Sequence, residues 1–141
     1  IRRVYEILDT APAIENPENP LFLKNIVGRI EFENVSFSYR DESEILQDIN
    51  FSVQPGQTVA LVGPSGAGKS TVIKLLHRFF DARQGSIRLD GNEIKDLDRK
   101  SFLSQIALVP QETLLFGGTV KEIAEPLLAI TTRPSSVRVK V

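Results

Sequence analysis

Nine consecutive residues, Gly63-Pro64-Ser65-Gly66-Ala67-Gly68-Lys69-Ser70-Thr71, hold the clearest chemistry in this sequence. They fit the phosphate-binding pattern G-x-x-x-x-G-K-[ST] without a mismatch. A nucleoside triphosphate is a dense anion, and it needs donors and positive charge delivered without bulk. Glycines at 63, 66 and 68 let the backbone approach closely and turn its N–H groups onto phosphate oxygens. Lys69 adds a full charge for the terminal phosphates. The Ser70 hydroxyl is a hard oxygen ligand suited to Mg²⁺, an ion that often bridges to phosphates.

The flanking residues must place that loop. Thr58-Val59-Ala60-Leu61-Val62 is a short apolar, β-branched run and predicts a buried strand. Beyond the loop, Val72, Ile73, Leu75, Leu76, Phe79 and Phe80 recur at helical spacing and predict an amphipathic helix from Ser70 to Phe80. A helix starting there would add its N-terminal partial positive charge to the site.

Upstream, Ile30 and Phe32, then Val35, Phe37 and Tyr39, alternate with polar residues, with a one-residue slip at Asn34 that predicts a β-bulge. Asp41-Glu42-Ser43-Glu44 reads as a turn, and Ile49, Phe51 and Val53 alternate again. This half is expected to be an antiparallel sheet. Downstream, Ser86 to Leu89 reads as a strand, Asp90-Gly91-Asn92 as a tight turn, Asp98 to Ser104 as a short helix and Ile106 to Val109 as a strand. Thr119-Val120-Lys121-Glu122 matches a capping box, and Pro126 limits the helix it would start. At the ends, Ile1, Val4, Ile7 and Leu8 form a helical stripe, while Val137, Val139 and Val141 alternate with Arg138 and Lys140.

The 141 residues suffice for one domain with a core, and a net charge of −1 gives no electrostatic case for nucleic acid or anionic lipid. No cysteine is present, which excludes disulfides and thiolate chemistry, and a single histidine, His77, excludes a histidine metal cluster. No apolar run approaches the roughly 20 residues of a membrane helix. The absence of methionine predicts a segment of a longer product, or a chain that has lost its first residue.

Four further residues carry two readings each. Tyr39 is either a surface-facing strand tyrosine or a stacking platform for a flat base. Gln111, after a strand and a proline, is either a solvated loop residue or a carbonyl ligand to Mg²⁺. His77 lies too far along the helix to reach a γ-phosphate and reads as a surface or packing histidine. Asp90, followed by Gly91, reads as a turn aspartate rather than a metal-shell carboxylate.

Tyr39, the glycine loop and Gln111, in that order, resemble the nucleotide-binding domain of an ATP-binding-cassette (ABC) transporter of the exporter type. The resemblance is carried by Gly28 to Tyr39, Val62 to Thr71, Gly85 to Gly91 and Leu108 to Glu112. It implies an α/β, P-loop NTPase-like fold: an antiparallel β subdomain plus a partial mixed or parallel sheet with flanking helices. It implies ATP and Mg²⁺ as ligands, Tyr39 as the adenine-stacking aromatic, and Gln111 beside Ser70 at the metal. It implies a transmembrane domain and a second nucleotide-binding domain as partners, and a place at the cytosolic face of a membrane. Leu114 to Phe116 become candidates for contact with the membrane domain. The organisation that follows is 1–10 as the end of a linker helix from a membrane domain, 11–27 as an extended linker, 28–125 as a partial nucleotide-binding domain and 126–141 as a divergent tail.

The sequence also departs from the family. It has no L-S-G-G-Q signature, no apolar run ending in Asp-Glu and no downstream switch histidine, the parts that hold the Mg²⁺ shell, supply the general base and close on the γ-phosphate. The resemblance therefore assigns no catalytic residue here and implies nucleotide binding with little or no turnover by this chain alone. In the family's sheet, further strands lie between the glycine-loop strand and Ile106 to Val109. The alternating tail is a candidate to fill that gap, since bare strand edges aggregate. Two other classes stay open: a catalytically inactive cassette acting as an interaction module, and another P-loop enzyme. Of the latter, a GTPase would need N-K-x-D and D-x-x-G, which are absent, so a small-molecule kinase remains.

Overall fold

The structure is a computed structural model, and it describes residues 14–39, 43–109 and 138–140. The expected helix at 1–10, part of the turn at Asp41, Gln111, the segment Leu114 to Phe116 and the capping box at Thr119 all lie outside the described residues.

Two hydrophobic periods build the core. Strands β1 (Ile30–Phe37) and β2 (Leu46–Val53) pair antiparallel, and β1 pairs antiparallel on its other edge with β4 (Gln84–Leu89). A short β5 (Asn92–Glu93) closes a four-stranded sheet in the order β2-β1-β4-β5. Ile30, Phe32, Val35, Phe37, Leu46, Val53, Ile87 and Leu89 bury their side chains. Phe32 and its cross-strand partner Phe51 stack at 4.5 Å, a pairing that adds to area burial.

The slip at Asn34 is a bulge, as expected. Asn34 has φ 50°, and the register of β1 shifts against both neighbours around it. A bulge frees backbone groups from the ladder, and they need other partners. Asn50 Oδ1 accepts the Asn34 amide at 2.8 Å, and Ser36 Oγ accepts the Asp48 amide at 3.1 Å. On the other side Gly85, at φ 83°, passes so close to the Glu33 and Asn34 carbonyls that a Cβ would collide with them.

Helix α1 (Lys69–Leu76) lies on this sheet and buries Thr71, Val72, Ile73, Leu75 and Leu76. The helix stops earlier than the apolar pattern predicts. Arg78 takes a left-handed φ of 50°, with Arg78 N donating to Leu75 O and Phe79 N to Lys74 O at 2.9 Å each, a Schellman ending with arginine where glycine is usual. The guanidinium is held by Asp81 at 3.1 Å and the Glu15 carbonyl at 3.2 Å. Phe79 and Phe80 thus leave the helical stripe and are 44% and 38% exposed. His77, the C-cap, is buried, so it is a packing residue.

Two strand expectations need correction. The run before the loop gives only β3 (Thr58–Ala60), and it is one-sided rather than buried: Val59 and Leu61 pack against the core, while Thr58, Ala60 and Val62 are exposed. Ile106 to Val109 forms no strand, and Val109 is 78% exposed. An apolar run becomes a strand only where a partner satisfies its amides. β3 does have such a partner in the tail, since β6 (Arg138–Lys140) pairs with it in parallel.

The segment from Ile14 to Val27 has no helix or strand beyond a bridge between Leu21 and Leu97, yet it is fastened down. Leu21 exchanges backbone bonds with Asp96 and Asp98 at 2.9 and 2.8 Å. Asn16 binds the Asp98 carboxylate at 2.8 Å and accepts the Arg99 amide at 2.9 Å, at the start of α2 (Arg99–Leu103). Gln105 Nε2 donates to Leu23 O at 2.7 Å.

The junction of this strap with β1 is held by Asp90. Asp90 and Gly91 form the two-residue turn between β4 and β5, both at positive φ (51° and 81°), as Asp-Gly hairpins require. The carboxylate accepts the amides of Val27, Gly28 and Arg29 at 2.7, 2.9 and 2.7 Å. Asp90→Ala removes three bonds to a charged acceptor, two of them at exposed amides that water can take over, and equilibrium urea unfolding should show a loss of about 1.5–3 kcal/mol; an unchanged midpoint would refute the clamp.

His77 makes a second expectation. Burial disfavours the charged ring and lowers its pKa below 6.5, and the bond to the Ile73 carbonyl at 3.1 Å opposes this only in part. The folded ring therefore stays neutral where the unfolded one takes up a proton. Stability is complete above pH 6.5 and falls as pH drops below that value, until the lowered folded pKa is reached. Urea midpoints at pH 7.5 and 5.5 should differ in the wild type and differ less in His77→Asn.

Candidate functional site

The glycine loop joins the end of the β3 segment to α1. Its turn is closed by Ala67 N donating to Pro64 O at 3.2 Å, and the first helical bond runs from Val72 N to Gly68 O at 3.0 Å. Gly68 is the N-cap, at φ 81° and ψ 4°. Its Cα lies against Ile45 and Leu46, where a Cβ would meet Leu46 Cδ2 at 2.6 Å. Both the left-handed backbone and the packing therefore demand glycine.

The end of the helix is electrostatically open. No side chain caps it, and no acidic residue stands in its first turn. The amides of that first turn have no intrahelical acceptor, and the helix dipole is positive there. Gly63, Pro64, Ser65, Gly66, Ala67 and Ser70 are exposed, Lys69 is half-buried, and Gly68 and Thr71 are buried. Two hydroxyl residues, Ser65 and Ser70, thus stand exposed beside a base buried at Gly68 and Thr71.

Lys69 is folded back onto the loop. Its Nζ donates to the Gly63 and Pro64 carbonyls at 3.0 and 2.9 Å. The ammonium is therefore held at the mouth of the loop by acceptors that a phosphate oxygen can replace. Among the described residues no group of three or more His, Cys, Asp or Glu is placed to hold a metal ion. The loop's hydroxyls, on exposed Ser65 and Ser70, are hard oxygens of the kind Mg²⁺ takes.

Tyr39 follows the end of β1 and is brought to the flank of α1, half-buried rather than surface-facing. Its hydroxyl lies 3.4 Å from Thr71 Oγ1. Phe37 and Phe80 pack against its ring at 4.9 and 5.0 Å, with interplanar angles of 88° and 82°. Lys74 Nζ sits over the ring, 5.5 Å from its centroid. The fold thus brings Tyr39 to the flank of α1 and the loop to its start; Gln111 falls outside the described residues. Sequence reasoning missed the neighbours of Tyr39. Lys74 was findable, since it follows Thr71 by three positions and shares its helix face. Phe80 was not, because the helix ends before it.

Comparison with known proteins bears on the same residues. The family described as ABC transporter matches residues 46 to 140. The chain is 46% identical over 121 residues to ATP-binding cassette sub-family B member 6 of Xenopus tropicalis, covering 86% of this chain and 14% of that protein. It is 58% identical over 95 residues to the human protein of the same name, covering 67% of this chain and 11% of that one. Among solved structures, a bacterial Atm1-family ABC exporter with ATP bound superposes with a TM-score of 0.75 at 37% identity, covering 88% of this chain and 22% of that one. The chain therefore spans a small part of the length of the relatives it matches. With the glycine loop, the sheet that carries it and these matches in agreement, the chain belongs to the ABC transporter family, in its exporter-type ATP-binding domain.

Proposed function

We propose that this chain binds Mg-ATP, as part of a domain that powers transport across a membrane by ATP binding and hydrolysis in a longer protein. The observation that carries the reading is the uncapped start of α1, where a lysine and a hydroxyl stand beside amides with no intrahelical acceptor. In this reading the amides from Gly63 to Thr71 cradle the phosphates, and Lys69 turns from the Gly63 and Pro64 carbonyls onto them. Tyr39 stacks on adenine. Ser70 and Gln111 would hold Mg²⁺, which would supply charge to neutralise the phosphates. The partners are a transmembrane domain and a second nucleotide-binding domain, with the chain at the cytosolic face. No helix among the described residues is long and apolar enough to cross a membrane.

Titration of the chain with Mg-ATP, followed by amide NMR, tests this. The amides of Gly66 to Thr71 should shift, and ATP should bind more tightly than GTP. Lys69→Ala removes hydrogen bonds to a charged ligand and should weaken binding by about tenfold to a hundredfold. Unmoved loop amides in folded protein at excess Mg-ATP would overturn the proposal.

A further inference from the structure

The base platform has a neighbour whose charge the phosphate site does not use. Lys74 is exposed and lies on α1, one turn beyond Thr71. Its ammonium stands over the Tyr39 ring at 5.5 Å from the centroid, within the range in which a cation is drawn to an aromatic face. The other described ring contacts of Tyr39 are nearly perpendicular, at 88° to Phe37 and 82° to Phe80. Neither ring lies parallel to Tyr39. The phenol end is set by Thr71 at 3.4 Å, a long contact for two hydroxyls.

We infer that Lys74 is a positioning residue for the base: its ammonium fixes the plane of the Tyr39 ring against α1, and so sets affinity for the nucleoside half of the ligand but not for the phosphate half. The inference rests on the reading of Tyr39 as the base platform. Phe37 and Phe80 wedge the ring from its sides, and two contacts from one helix, a hydroxyl at Thr71 and a cation at Lys74, refer its plane to α1. Because Thr71 and Lys74 belong to the helix whose start meets the phosphates, base and phosphate positions are then referred to one rigid body.

The test compares Mg-ATP with Mg-tripolyphosphate, which has the charge of the chain of phosphates and no base. Affinities are measured on the intact 141-residue chain in the wild type, Lys74→Met and Lys74→Arg. Methionine keeps an unbranched stem and loses the charge. Lys74→Met should weaken ATP by about two- to fivefold, the worth of an exposed cation–π contact, with tripolyphosphate unchanged and Lys74→Arg near wild type. Equal weakening of both ligands would reduce Lys74 to a general attraction for anions, and an unchanged ATP affinity would remove its role altogether; either overturns the inference while the binding reading stands. Wild-type ATP no tighter than tripolyphosphate would overturn the reading of Tyr39 itself, and the inference with it. Binding of neither ligand would overturn the nucleotide site as a whole.

Discussion

The start of α1 depends on a contradiction resolved at Gly68. A helix end usually closes its free amides with a side-chain cap, and a buried one must do so. Here the N-cap has no side chain to offer, and its Cα is pressed against Ile45 and Leu46 at the start of β2. The buried underside of the helix, from Thr71 to Leu76, holds it against the sheet while its first turn stays uncapped. Local stability is given up at one end and recovered along the flank, which leaves free donors on a well-anchored element.

The same sheet places the aromatic side of the site. β1 carries Phe37 into the core and Tyr39 just beyond it, so the two rings meet edge to face at 4.9 Å. The early end of α1 turns Phe80 back against both of them, at 5.6 Å from Phe37 and 5.0 Å from Tyr39. An arginine in a left-handed conformation, tied to Asp81 and to the Glu15 carbonyl, enforces that turn. The surroundings of Tyr39 are therefore built by a helix stop as much as by a strand.

Much of this was legible in the sequence because it rests on short-range rules. The glycine loop, the alternation of β1 and β2, the slip at Asn34 and the Asp90-Gly91 turn each follow from a few neighbouring residues. What escaped depends on partners distant in the chain. Asp90 reads as a turn residue, and nothing local says that it also receives three amides from 27 to 29. The strap from Ile14 to Val27 reads as an extended linker, yet Asn16 and Asp98 fasten it across 82 positions. Ile106 to Val109 has the composition of a strand and lacks a paired neighbour among the described residues. β3 has the composition of an interior strand and is covered on one face only. In the site, the position of Lys69 could not be foreseen, because it is set by carbonyls rather than by side chains.

That last position carries a consequence for selectivity. An anion reaching the loop does not meet a free ammonium; it meets one already shared between two carbonyl oxygens at 3.0 and 2.9 Å. The third N–H of that ammonium is open to the newcomer, and the two carbonyls give way only to acceptors stronger than they are. A singly charged ion offers little beyond them in water, whereas a polyanion spanning several loop amides gains the exchange and the dipole at once. In the proposed reading, the resting contact therefore favours a ligand with several anionic oxygens over a single salt anion.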